Sequence, residues 1–270
     1  MVEIKTDIIT SKRNKRIVAA RKLDQRKHRQ HQNRFLVEGL QLLHMALDAG
    51  VQPVEVFYCR DLFIGSEADY LISRFAETDA DLVPVSEYVL EALSEREASQ
   101  GIVATFALFE HTLFDLVLDD APLIVILDRL QDPGNVGTLI RTADAAGAQA
   151  VILLEPCVDP FDPKTVRGSM WSLFNVPLVR SSTPDEVFGE LAQKHIRIVA
   201  ADAHQGELWG HQALQGAIAL ILGNEARGLS PDVAPHVNTW VRLPVAGQAE
   251  SLNVAVAGGI LIYTWLEHHQ

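Results

Sequence analysis

The 270-residue sequence predicts an α/β protein of two successive units. Two patterns carry that expectation. In the C-terminal half, 123–127, 150–154, 196–200 and 217–222 are short aliphatic runs, the signature of parallel strands buried on both faces. Helical stretches near 136–146, 163–172 and 184–194 fall between them. The N-terminal half alternates short strands and amphipathic helices up to about residue 108.

Taken in order, residues 1–10 read as a loose arm and 11–30 as one basic helix with Ile17, Val18 and Leu23 as apolar anchors. A strand follows at 35–37. An amphipathic helix then covers 38–49, with Leu40, Leu43 and Leu47 at helical spacing and Gly50 at its stop. Strands are expected at 54–58, 82–84 and 101–108, and helices at 66–77 and 87–94. Residues 1–108 form the first domain, 109–121 a linker and 122–270 the second domain, which closes on a very apolar helix at 254–266.

Composition narrows the function. Hydrophobic residues make up 48% and charged residues 21%, as in a globular protein. The apolar run at 252–266 is too short to span a bilayer. The first residues lack the apolar core of a secretory leader, so a cytoplasmic location is expected. Cys59 and Cys157 are too few and too far apart for a disulfide framework or a zinc site, and no metal is expected. The net charge of −12 hides an asymmetry: residues 11–34 hold ten Lys or Arg against the single acid Asp24. A dense basic arm on an acidic body points to phosphate, hence nucleic acid. Lys12, Arg13, Lys15, Arg16 and Arg34 are its candidate contacts, in a run that also holds Arg21, Lys22, Arg26, Lys27 and Arg29.

Three segments could carry chemistry. Asp128 to Ala143 leaves a buried strand, turns through Pro133 and Gly134 and enters a helix at Asn135. Gly134 and Gly137 permit close backbone approach. Arg141 lies on an Ala-rich, core-facing helix, where burial would demand an anion; a surface pair with Asp128, Asp132 or Asp144 is the plainer alternative. Leu220 to Ser230 ends a strand at Gly223-Asn224-Glu225, where open α/β sheets bind ligands, and Ser230-Pro231 reads as a helix N-cap pair. Glu225 is a candidate acid, base or orienting carboxylate, or else a turn residue paired with Arg227. Leu243 to Val254 is a polar, turn-rich entry to the last helix, with Ser251 and Asn253 at its mouth.

Together these segments resemble the SpoU/TrmH-type RNA 2′-O-ribose methyltransferases of the SPOUT superfamily. Asn135-x-Gly137-x-x-x-Arg141-x-Ala143 is similar to the family's first motif. Leu222-Gly223-Asn224-Glu225-x-x-Gly228-Leu229-Ser230 is similar to the second. Leu243-Pro244, Gly247 and Ser251-Leu252-Asn253-Val254 are similar to the third. The first domain, with Phe35-Leu-Val-Glu38-Gly39, resembles the ribosomal-protein-like substrate-binding domain many of these enzymes carry.

The resemblance implies a deep trefoil knot in the C-terminal parallel-sheet domain, a homodimer, and S-adenosylmethionine held largely through backbone by Ala201, Leu222, Gly223, Asn224, Leu243 and Leu252. It implies catalytic positions at Asn135, Arg141, Glu225, Ser251 and Asn253, with Arg141 the family's candidate base. A guanidinium normally keeps its proton, so the identity of the proton acceptor stays open. Arg167 is a further phosphate candidate. Trp171, where the family usually has a small residue, either packs between domains, the favoured reading, or stacks on a base. The expected activity is methylation of a ribose 2′-hydroxyl of RNA, ribosomal before transfer RNA. A base methyltransferase of the same fold, a catalytically idle assembly factor and a nicotinamide enzyme are weaker alternatives; the last lacks a full Gly-x-Gly-x-x-Gly fingerprint.

Overall fold

A computed structural model describes residues 7–94, 99–210 and 212–269. Residues 1–6 of the expected arm lie outside the described residues. The chain divides into two compact units, Met1–Phe109 with Phe161–Pro163, and Glu110–Pro160 with Lys164–Gln270.

The first unit contains α1 (Lys15–Arg21), α2 (Arg26–Gln32), β1 (Arg34–Glu38), α3 (Leu40–Asp48), β2 (Glu55–Tyr58), α4 (Glu67–Phe75), β3 (Asp81–Pro84), α5 (Glu87–Glu91) and β4 (Ile102–Ala107). Its sheet order is β1-β4-β2-β3. Only β2 and β3 run parallel; β4 is antiparallel to both its neighbours. Ile17 and Ala20 of α1 pack with Phe57, Val83, Val89 and Val103 in one buried cluster.

The expected single basic helix over 11–30 is two short helices. Asn14 caps α1, accepting from the Arg16 amide at 2.9 Å. A 3-10 turn at Lys22–Asp24 follows, and Gln25 is extended. The break has a tertiary cause. Leu23 is fully buried, and the buried Arg29 donates to the carbonyls of Leu23 and Asp24, each at 2.8 Å. Those bonds satisfy carbonyls that a helix break leaves open. Arg29 is therefore a structural cation, not a surface contact. Val18, expected as an anchor, is only half-buried.

The second unit contains β5 (Leu123–Asp128), α6 (Pro133–Ala145), β6 (Ala150–Leu154), α7 (Pro163–Ser169), β7 (Leu178–Ser181), α8 (Pro184–Gln193), β8 (Arg197–Ala201), β9 (Glu207–Leu208), β10 (Ile218–Leu222), β11 (Thr239–Arg242) and α9 (Val254–Glu267). Seven strands form one sheet, ordered β7-β6-β5-β10-β8-β11-β9, and every pairing is parallel. All residues of β5, β6 and β10 are buried, which is why their sequence shows no polar alternation. Close helix packing needs glycine. A Cβ on Gly137 of α6 would meet the Thr165 carbonyl oxygen at 2.7 Å, and one on Gly258 of α9 would meet Leu139 at 2.5 Å. The carboxyl ends of β5, β8, β10 and β11 point to one edge, and the loops leaving them build the site.

A candidate methyl-transfer site

The three loops after β5, β10 and β11 meet at one cleft edge. Asp132 caps α6 by accepting from the Asn135 amide at 2.8 Å, so the helix begins at Pro133 and not at Asn135. Asn253 caps α9, its Oδ1 accepting from the amides of Ala255 at 2.9 Å and Val256 at 3.3 Å. The cap fixes how that side chain faces. With Oδ1 engaged, Nδ2 is free to donate, and it does so to Asn135 Oδ1 at 3.0 Å. Asn135 must then present its own Nδ2 outward, and it donates to Glu225 Oε1 at 3.1 Å. Glu225 also accepts from the amides of Gln131 and Asp132, each at 3.3 Å. A directed relay thus runs from the positive N-terminus of α9 through Asn253 and Asn135 to Glu225. Glu225 does not pair with Arg227; it is the acceptor that ties two loops together.

Beside the relay lies a cleft of about 550 Å³. Ala201, Leu222, Gly223, Asn224, Leu243 and Leu252 all line it, with Glu225, Ser251 and Asn253 on the same wall. Val241, Leu243, Leu252 and Leu261 give it an apolar side, while Asp202, Glu225 and Glu250 bring negative charge. Gly223 is required where the loop doubles back: a Cβ there would lie 2.6 Å from the Gly228 carbonyl carbon and 2.7 Å from the Leu229 nitrogen. Ser251 is exposed and lines the same cleft.

Arg141 stands apart within one chain. It is exposed, so it is not buried against an anion, and among the described residues it has no ionic partner. The alternative pairings fail as well. Asp128 is fully buried and taken by Ser230, Asp132 caps α6, and Asp144 accepts from Asn175 at 3.0 Å. Six residues separate Arg141 from Asn135, about 9 Å along the helix and on another face.

Ser230-Pro231 does not start a helix. The Ser230 amide and hydroxyl both donate to Asp128, at 2.6 and 3.0 Å, and turns follow. Asp128 and Ser230 are site-building residues that the sequence places in other roles, as a possible partner of Arg141 and as a helix cap. Their signal is an ionisable side chain at the end of an otherwise aliphatic buried strand.

Trp171 is 2% exposed and stacks on Phe174 with ring centroids 3.7 Å apart, so its ring offers no open face to a base. The arm candidates divide. Arg13 and Lys15 are exposed. Lys12 sits over the Tyr88 ring at 3.5 Å. Arg16 and Arg34 share Glu55, each at 2.8 Å, and Arg16 also pairs with Asp81. A phosphate would have to displace carboxylates from both. Arg167 is half-buried on α7. Among the described residues, no cluster of His, Cys, Asp and Glu could hold a metal, and no helix is long and apolar enough to cross a membrane.

Comparison with known proteins gives this geometry a family. Residues 122–263 match the SpoU rRNA Methylase family, and residues 14–104 match the MRM3-like substrate binding domain. The chain is 34% identical to the 23S rRNA (guanosine(2553)-2′-O)-methyltransferase RlmP of Bacillus subtilis, over 94% of this chain and 97% of that one. Among solved structures, the AdoMet-bound rRNA methyltransferase of Sinorhizobium meliloti superposes with a TM-score of 0.84 at 31% identity, covering 98% of each chain. The SpoU methyltransferase AviRb of Streptomyces viridochromogenes, in complex with AdoMet, superposes with a TM-score of 0.85 at 28% identity, covering 95% of this chain and 98% of that one. With both the fold and two domain signatures matched along nearly its full length, the chain belongs to the SpoU rRNA methylase family.

Proposed function

We propose that this protein transfers the methyl group of S-adenosylmethionine to a ribose 2′-hydroxyl of ribosomal RNA. The observation that carries the reading is the relay Asn253–Asn135–Glu225 on the lip of a cleft walled by the loops after β8, β10 and β11. The cleft suits the cofactor. Its apolar side can take an adenine ring, and its carboxylates favour a cationic sulfonium. Ala201, Leu222, Gly223, Asn224, Leu243 and Leu252 would hold the cofactor, mostly by backbone atoms. When bound, the cofactor supplies an activated methyl group.

The chain's residues then position the acceptor and manage its proton. Glu225, fixed by two backbone amides and Asn135, is a rigid acceptor beside the cleft. Ser251 is exposed on the same wall and available to a ribose hydroxyl. Asn135 and Asn253 hold Glu225 and the ribose in register. Arg141 serves the reacting hydroxyl from a second subunit, because its own chain keeps it off this wall. The dimer forms through α6 and α9, which expose Val256 and Tyr263 beside Asn135 and Asn253. We further propose that the loops around the cleft are threaded as a trefoil knot. Residues 1–108 hold the RNA through Lys12, Arg13, Lys15, Arg16 and Arg34, residues 109–121 link, and 122–270 catalyse, with Arg167 as a further phosphate contact. The protein acts in the cytoplasm with its RNA.

The test is transfer of labelled methyl from S-adenosylmethionine to ribosomal RNA, followed by nucleoside digestion. A 2′-O-methylated nucleoside is expected. Label recovered only on a base, or no transfer to naked RNA or to ribosomal particles, would overturn the proposal.

A further inference from the structure

Asp128 is a fully buried carboxylate that the proposed reaction does not use. It ends β5, and both its oxygens are occupied. Oδ2 accepts from the Ser230 amide at 2.6 Å and Oδ1 from the Ser230 hydroxyl at 3.0 Å. The next residue grips the other end of the same loop. The Arg129 carbonyl accepts from Asn224 Nδ2 at 2.8 Å. Between those anchors, Asn224 and Gly228 exchange backbone bonds of 2.9 Å, and Asn224 Oδ1 accepts from the amides of Ala226 and Arg227, each at 3.1 Å. The Arg129 guanidinium holds Asp232 through two contacts of 2.8 Å, pinning the chain beyond Ser230. Residues 224–232 are thus fastened to the end of β5 at three points, and Glu225 hangs within that fastened loop.

We infer that Asp128 is a positioning residue for methyl transfer: by clamping Ser230, it sets where Glu225 meets the 131–135 turn. The inference rests on the proposed role of Glu225. Its physical basis is leverage. Glu225 engages the 131–135 turn through bonds of 3.1–3.3 Å, near the long end of the normal range, so a shift of a few tenths of an ångström disengages it. Both bonds to Asp128 are charge-assisted and lie out of water where they are strong, and the Ser230 amide bond is short at 2.6 Å. The weak contacts therefore depend on the strong ones.

The experiment compares Asp128→Ala, Asp128→Asn and Ser230→Ala with the wild-type enzyme. Readouts are kcat, KM for RNA, S-adenosylmethionine affinity by calorimetry, and hydrogen exchange at the Ser230 and Asn224 amides. Asp128→Ala should lower kcat by about 30-fold or more with KM for RNA changed less than about threefold, the pattern of a lost transition-state arrangement. Asp128→Asn can still accept one bond and donate to the Ser230 hydroxyl, so it should recover most of kcat. Ser230→Ala should fall between them. Exchange at Ser230 should rise in Asp128→Ala. A folded Asp128→Ala enzyme with wild-type kcat overturns the inference. If Asp128→Ala does not fold, wild-type kcat in Ser230→Ala overturns it instead. Raised exchange at Ser230 without any activity in the wild-type protein would confirm the clamp and sink the proposed function, so the two failures are distinguishable.

Discussion

At the scale of single residues, the division of labour turns on which polar groups are already satisfied. Asn253 spends its oxygen on the α9 cap and its amide on Asn135, whereas Arg141 has no ionic partner among the described residues. A cation kept exposed and unpaired on a helix full of small residues is available to RNA. Arg141→Ala should reduce methyl transfer by about 10²-fold or more, within the range of a lost proton-transfer or orienting group. S-adenosylmethionine affinity, read by calorimetry, should stay within about twofold, because Arg141 does not line the cleft. Retained transfer would remove Arg141 from the chemistry. The thiols show the opposite situation. Burial pushes Cys157 up to about 12 and also raises Cys59. Both stay protonated near neutral pH, so neither is a nucleophile. A chromogenic disulfide reagent at pH 8 should titrate almost no thiol in the folded protein and both after denaturation. Fast reaction in the native state would contradict their burial.

At the scale of elements, the strands were legible where physics leaves one solution. β5, β6, β8 and β10 lie inside a parallel sheet, so their aliphatic runs have no polar face to blur the pattern. β7 and β9, at the sheet edges, were not legible. One is four residues ending in Arg180-Ser181, the other only Glu207-Leu208. The break between α1 and α2 carries no Gly or Pro; it arises from Leu23 burial and the Arg29 bonds, which local sequence does not encode. Likewise Ser230-Pro231 reads as a cap until Asp128, a hundred residues earlier, takes both Ser230 donors. The same distinction sorts the basic arm. Arg13, Lys15, Arg21 and Lys22 are exposed, whereas Arg29 holds the helix break. Changing those four to Ala together should weaken RNA binding and flatten its salt dependence by roughly 0.7–0.9 log units for each phosphate no longer neutralised. The rate at saturating RNA should change little. Arg29→Ala should instead cost about 1–3 kcal/mol of stability, because the buried Leu23 carbonyl and the part-buried Asp24 carbonyl lose a charged donor. Thermal unfolding and filter binding at several salt concentrations separate the two outcomes. Equal effects of both changes on RNA affinity alone would refute the sorting.

At the scale of the whole molecule, one chain does not gather the full set of proposed catalytic residues. Glu225, Ser251 and Asn253 line one cleft, Asn135 is bonded to two of them, and Arg141 is on another face of α6. The α9 helix offers a way to close the gap. Its buried side packs Gly258 against Leu139 and Leu222, while Val256 and Tyr263 on the other side are 53% and 50% exposed. Large apolar side chains on the last and most apolar helix are costly to leave in water. Twofold pairing would cover them, and in such a pairing each partner meets the other with the same surface. Two copies of one site then form, each with Arg141 from one chain and the relay from the other. Sedimentation at micromolar concentration should find a dimer. Complementation tests the shared site more sharply. Arg141→Ala and Glu225→Ala should each be inactive alone. Unfolded together and refolded as a mixture, half the dimers are mixed, and each mixed dimer has one site with both residues intact. About a quarter of wild-type activity should return under twofold symmetry. If Arg141 acted within its own chain, every site in the mixture would carry one defect and no activity would return.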